Sequence, residues 1–299
     1  MNKKNILISL SLGALLVLGG GEGYAAQAAS PSSSSYMNSL ARAMKSGKQT
    51  PTYSLDFDAS KYSTREMTYQ GQTVKFRAYE NMVYTAHPAD VSSESMSIYI
   101  PEAYFTKGGT VNGYTAKTAP IFMPNGVGGY MPGTICAPSE NDKMSGGANA
   151  SLGALAHGYV VAAPAIRGRT TKNSDGVYVG KAPALIVDYK AAVRYLRHNR
   201  NKLPAGDTEK IISNGTSAGG ALSALLGATG NAVEYEPYLR AIGAAEERDD
   251  IFASMDYCPI TDLPHADLAY EWVFNGVNTA HQSFTMQAPS QGGASFPGT

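Results

Sequence analysis

Cysteine is scarce in this chain of 299 residues, with only Cys136 and Cys258 present. Two thiols cannot form a Cys-based zinc site, and they are too few for the disulfide framework of a small secreted scaffold. In an exported protein the two could pair or stay as buried free thiols. A bridge needs Cα atoms within about 7 Å, which sequence spacing does not decide. Histidine is sparse too: His87, His157, His198, His265 and His281 are scattered without ligand spacing, so no metal site is expected. Neither sign of charge predominates, 24 basic residues standing against 24 acidic ones. That balance speaks against a nucleic-acid groove or a polybasic membrane surface and for a small, uncharged or weakly charged partner. A membrane-length apolar run is missing as well. The stretch from Ile6 to Gly20 covers fifteen residues, short of the ~20 that cross a bilayer as a helix.

What is present begins with a leader. Lys3 and Lys4 precede that stretch, and small residues follow it, with Ala26-Gln27-Ala28 as a cleavage site. Residues 1–28 therefore read as a signal peptide, with an uncleaved signal anchor as the alternative, and the protein as secreted or cell-surface, with no membrane contact beyond export. Removing the leader leaves 22 basic against 23 acidic residues. Residues 29–52 are Ser-rich and polar, a flexible tether with one short helix around 37–44. The folded core is expected over 53–265, and the polar stretch 266–299 reads as a loop, insertion or tail.

Within the core the hydrophobic pattern changes along the chain. Thr73 to Tyr79 and Ser95 to Ile100 alternate apolar and polar residues, as half-exposed antiparallel strands do. Pro120 to Pro124, Tyr159 to Ala163, Lys210 to Ser213 and Ile251 to Met255 are short, mostly apolar runs, the pattern of parallel strands buried on both faces. Helices are expected between them at Ala148–Ala156, Ala184–Asn199, Gly220–Ala228 and Pro237–Ala245. The charge run Glu246 to Asp250 reads as a solvated loop. The sum is an α/β fold: a mixed, mostly parallel sheet with helices on both faces.

The chemistry centres on Ile211-Ile212-Ser213-Asn214-Gly215-Thr216-Ser217-Ala218-Gly219-Gly220. A strand, a tight turn with a serine at its apex and a small-residue helix make a nucleophile elbow, with Ser217 as the covalent catalyst. Small flanking residues are needed because strand and helix pack closely around a strained turn. A serine nucleophile also needs backbone N–H donors for the developing oxyanion. Ala218, next in sequence, offers one at the helix N-terminus. The Gly-rich loop Pro124 to Tyr130 offers a second, at Gly128 or Gly129.

The base is less evident. Acid and histidine follow the serine in this class of site. The 82 residues after Ser217 hold Asp249, Asp250, Asp256, Asp262, Asp267, His265 and His281. No clear further strand precedes His265, and His281 lies in the polar tail. Either histidine could complete a triad, but the expected location of acid and histidine is beyond Thr299.

With these segments in view, the chain resembles the bacterial tannases, α/β-hydrolase serine esterases. The matching stretches are the elbow, Met123 to Gly133, Ala163 to Arg169, and Tyr257 to Trp272. The resemblance implies an α/β-hydrolase fold and cofactor-free hydrolysis of galloyl and related phenolic acid esters. It places the nucleophile on Ser217 and an oxyanion donor on Ala218. It also implies a lid insertion after the Cys258 strand, so that 266–299 is its start or a disordered tail. Cys258 would then lie at the site's edge as a packing residue. A general carboxylesterase, a feruloyl esterase and a non-catalytic hydrolase-like fragment are the alternatives.

Overall fold

The computed structural model describes residues 51–143 and 145–262, with Asn38, His265 and the short stretches 268–273, 275–276, 285–286 and 294–295. The expected leader, nearly all of the tether with its short helix, and most of 266–299 lie outside the described residues.

Antiparallel strands come first. β1 (Ser63–Tyr69) and β2 (Gln72–Val83) form a hairpin. β2 then pairs with β3 (Ser95–Pro101), through a bulge between Tyr79 and Met82 where Asn81 adopts φ 57°. β1 has no counterpart in the sequence analysis. It is the sheet's outer strand, none of its residues is fully buried, and so no apolar face marks it.

The apolar runs become β4 (Pro120–Pro124), β5 (Val160–Pro164), β6 (Asp207–Thr216) and β7 (Ala253–Tyr257), which run parallel to one another. The seven strands lie in the order β1-β2-β3-β5-β4-β6-β7, with β3 joining β5 antiparallel. β4 sits between β5 and β6, so the chain leaves β4 to one side and later returns to the other. In open α/β sheets the crevice for ligands forms outside the carboxyl ends of strands at such a reversal. Here that places it at the ends of β4 and β6.

Four α-helices of the described residues pack on the sheet, α1 (Ala150–Ala156), α2 (Ala184–His198), α3 (Ala218–Ala228) and α4 (Glu236–Ala241), and a further one, α5 (Leu268–Val273), has Leu268, Trp272 and Val273 exposed. On one face, Leu152 and Leu155 of α1 pack with Phe76, Tyr99, Phe122 and Val161. On the other, α2, α3 and α4 pack with Ile98, Ile121, Met123, Val160 and Ile211. Successive residues of β4 and β5 thus enter opposite cores, which is why these strands are apolar throughout. α4 stops four residues before the expected Ala245. Gly243 adopts φ 66°, its N–H bonds the Arg240 carbonyl at 3.1 Å, and the Ala244 N–H bonds the Leu239 carbonyl at 2.9 Å. This paired closure, with glycine in the left-handed region, ends the helix.

α2 is buried on every side from Ala184 to Arg197. Its charged residues need partners there, because an unpaired ion in the interior is costly. The charge run Glu246 to Asp250 supplies two of them, which corrects the expectation of a solvated loop. Asp249 is fully buried and pairs with Lys190 at 2.8 Å and Arg194 at 2.6 Å, while Asp250 pairs with Arg197 at 3.2 Å. At the sheet's other edge β7 pairs only with β6 among the described residues, and Phe252, Met255 and Tyr257 are exposed. A two-residue ladder joins β8 (Thr285–Met286) to β9 (Ala294–Ser295). No helix of the described residues is long and apolar enough to cross a membrane.

Candidate active site

β6 ends at Thr216 and α3 begins at Ala218, leaving Ser217 alone in the turn at φ 59° and ψ −122°. Side chains rarely adopt that backbone, and holding one there costs about 1–3 kcal/mol. The surroundings enforce it. The Ser217 N–H donates to the Tyr257 carbonyl at the end of β7, and the Ser217 carbonyl accepts from the Ala221 N–H, both at 2.9 Å. A serine preceding a helix usually caps it by accepting a first-turn N–H. Ser217 makes no such bond and is exposed. Its hydroxyl is therefore free, and the first-turn N–H groups, Ala218's foremost, receive no cap from it.

The glycines around the serine are steric requirements. A Cβ at Gly215 would overlap the Gly219 carbonyl. One at Gly219 would come within 2.5 Å of Asn125 Oδ1 and 2.7 Å of the Val127 carbonyl oxygen. One at Gly220 would lie 2.5 Å from the Tyr257 carbonyl oxygen. Strand, helix and the loop after β4 are thus closed on one another.

Asn125 is the clamp between that loop and the elbow, and the sequence did not single it out. Its backbone N–H extends the β4–β6 pairing to the Asn214 carbonyl at 2.9 Å. Its carboxamide N–H₂ lies within donating distance of the Asn214 carbonyl (3.0 Å), the Gly219 carbonyl (3.1 Å) and Ser223 Oγ (3.0 Å). Its Oδ1 accepts the Val127 N–H at 3.2 Å. Beyond Val127, Gly128 and Gly129 are exposed, Gly129 adopts φ 56°, and the Met131 N–H closes the turn on the Gly128 carbonyl at 3.0 Å. Val127 therefore touches the elbow, and a Cβ at Gly133 would lie 2.9 Å from Val127 Cγ2, so the loop folds back on itself. Gly133 and Thr134 also wall a cleft of about 690 Å³ together with Asn81, Ser93, Ser95 and Ala165.

Below the loop, Tyr189 of α2 donates from its hydroxyl to the Met123 carbonyl at 2.5 Å, and burial pushes its phenol far up. Both cysteines are unpaired, and only Cys136 is partly sheltered. Burial pushes the Cys136 thiol up to about 11, so it is no thiolate at neutral pH. Cys258 is exposed at φ 47° immediately after β7, in place of the buried thiol or bridge that the sequence left open.

The described acids and histidines read from the sequence have partners other than Ser217. Asp249 and Asp250 serve α2. Asp256 of β7 accepts from Ser254 Oγ at 2.9 Å. Asp262 and His265 pair with each other, Nδ1 lying 3.0 and 3.1 Å from the two carboxylate oxygens, and both are exposed. Asp267 and His281 lie outside the described residues. Among the described residues no side chain hydrogen-bonds the Ser217 hydroxyl, and no cluster of three His, Cys, Asp or Glu is placed to hold a metal.

The chain as a whole is similar to known enzymes. A model of the BD-FAE family matches residues 133–291. The crystal structure of a Fusobacterium nucleatum tannase is 56% identical, with TM-score 0.71, the match covering 76% of this chain and 46% of that one. A tannase from Lactobacillus plantarum is 46% identical, with TM-score 0.72, covering 81% of this chain and 51% of its own. A tannin acyl hydrolase in complex with ethyl gallate is 46% identical, with TM-score 0.68 and coverages of 82% and 51%. The chain spans about half the length of these relatives. No curated protein matches it.

Proposed function

This chain belongs to the BD-FAE family and is a homologue of tannases, and from that premise we propose that it carries the nucleophile of an exported esterase that cleaves galloyl esters. The observation that carries the proposal is Ser217, exposed and uncapped at φ 59° where β6 turns into α3, in a chain 46–56% identical to tannases. Ser217 Oγ attacks the ester carbonyl. The developing oxyanion accepts from the Ala218 N–H and from Gly128 or Gly129, and a base takes the hydroxyl proton and passes it to the departing alcohol. Water then releases the acid from the acyl-enzyme. Base and orienting acid are assigned to sequence beyond Thr299. In support, no described side chain bonds Ser217, and the matched tannases are about twice as long as this chain. The galloyl assignment is supported by relatives solved with ethyl gallate and with 3,4-dihydroxybenzoate. Export rests on the leader at residues 1–28.

A fluorophosphonate probe tests the chemistry and matched esters test the substrate. In the full-length protein the probe is expected to label Ser217 and to leave Ser217→Ala untouched. No labelling of a folded sample rejects the esterase. Methyl gallate is expected to turn over faster than methyl ferulate or p-nitrophenyl acetate. A preference for ferulate would replace the galloyl assignment with a feruloyl one.

A further inference from the structure

The loop bearing Gly128 and Gly129 rests on a floor made by residues 166–169. Gly133 and Ile166 exchange backbone hydrogen bonds at 2.9 and 3.0 Å, and the Arg169 N–H donates to the Tyr130 carbonyl at 2.8 Å. A Cβ at Gly168 would overlap the Met131–Pro132 peptide, so floor and loop are in direct backbone contact.

The floor is tied in turn to α2 by one side chain. Arg167 is fully buried, and so is Asp188. Its Nε lies 3.1 and 3.0 Å from the two Asp188 oxygens, its Nη2 donates to Oδ1 at 2.5 Å, and its own backbone N–H reaches Oδ2 at 2.9 Å. Nη1 donates to the Val179 carbonyl at 3.1 Å. The neighbouring residue on α2, Tyr189, holds the Met123 carbonyl at the other root of the loop. Two consecutive residues of one helix, buried from Ala184 to Arg197, thus locate both the start of the loop and the surface beneath it.

A buried ion pair adds little net stability compared with apolar packing, whereas a forked guanidinium–carboxylate pair fixes orientation. We propose that Arg167 is a positioning residue for the ester-cleaving site: locked to Asp188, it sets the height of the 126–134 loop and so aligns the loop's amide donors with Ser217. The proposal rests on the esterase reading above. Lysine supplies the charge without the planar fork, so it cannot substitute.

The test uses the full-length protein with Arg167→Lys, Arg167→Met and, as control, Asp249→Asn. The control weakens another buried ion cluster on α2 that does not touch the loop. Both Arg167 variants are expected to lose about 10²-fold in kcat on methyl gallate, the scale of a misplaced oxyanion donor, with KM little changed. Hydrogen–deuterium exchange should rise in 126–134 and stay unchanged in 207–228. Asp249→Asn, at a comparable loss of melting temperature, should leave kcat and loop exchange at wild-type values. If Arg167→Met does not fold, Arg167→Lys and Asp188→Asn carry the same measurements. Wild-type kcat and loop exchange in Arg167→Lys would overturn the proposal, as would an equal kcat loss in the control. If the wild type shows no Ser217-dependent turnover, the esterase reading fails, and the exchange arm alone still decides whether Arg167 fixes the loop.

Discussion

The backbone at Ser217 separates chemistry from stability. A side chain at φ 59° and ψ −122° is strained, while glycine adopts that region freely. Ser217→Gly is therefore expected to abolish probe labelling and raise the unfolding free energy by about 1 kcal/mol, measured by urea denaturation. An equal or lower value would show that the turn is relaxed. The serine and its glycines were legible because an elbow is a short-range pattern, every element of it lying within ten residues of sequence. Asn125 was not. Its partners Asn214, Gly219 and Ser223 are 89 to 98 residues away, and nothing in Pro124-Asn125-Gly126 says where its carboxamide points. Arg167 lies within the stretch Ala163 to Arg169, yet its role depends on Asp188 on another element.

Among the elements, α2 shows what periodicity leaves out. Its apolar residues recur at helical spacing, which located it to within one residue at the C-terminus. The same pattern implies one exposed face, and there is none before His198, because Lys190, Arg194 and Arg197 are covered by the 249–250 segment. A run of like and unlike charges in sequence is normally solvated, and only the tertiary placement of α2 makes this one structural. Asp249→Ala would leave Lys190 and Arg194 without their shared carboxylate in the interior, a loss expected to cost about 3–5 kcal/mol. Thermal and urea unfolding check it, and a loss below about 1 kcal/mol would mean that solvent reaches those cations.

Over the whole molecule, stability should depend on pH through Glu94. Burial raises its carboxyl from the ordinary 4.5 to about 8, against the lowering pull of Arg167. Geometry points the same way: one guanidinium serves two enclosed carboxylates, Asp188 at 2.5 Å and Glu94 at 3.5 Å, and although burial pushes the Asp188 carboxyl up as well, its forked bonds to Arg167 favour the charge there and the proton on Glu94. The folded protein then keeps a proton that the unfolded chain releases near 4.5, so this contribution to stability falls as pH rises from about 4.5 to about 8. The urea midpoint is expected to drop between pH 6 and pH 9 in the wild type, and the drop should shrink in Glu94→Gln. An equal drop in both would assign it to other groups. At this scale β2 to β7 could be read from apolar patterning and β1 could not, nor could the order β3-β5-β4-β6, since runs buried on both faces carry no mark of their neighbours.

The bare rim formed by β7 has a practical consequence. Its outward amide and carbonyl groups have no ladder partner among the described residues, and Phe252, just before the strand, and Tyr257, at its end, are exposed. Such a margin templates the addition of further chain. Concentrated solutions of this polypeptide alone should therefore form reversible clusters that dissociate on dilution, with that rim as the adhesive strip.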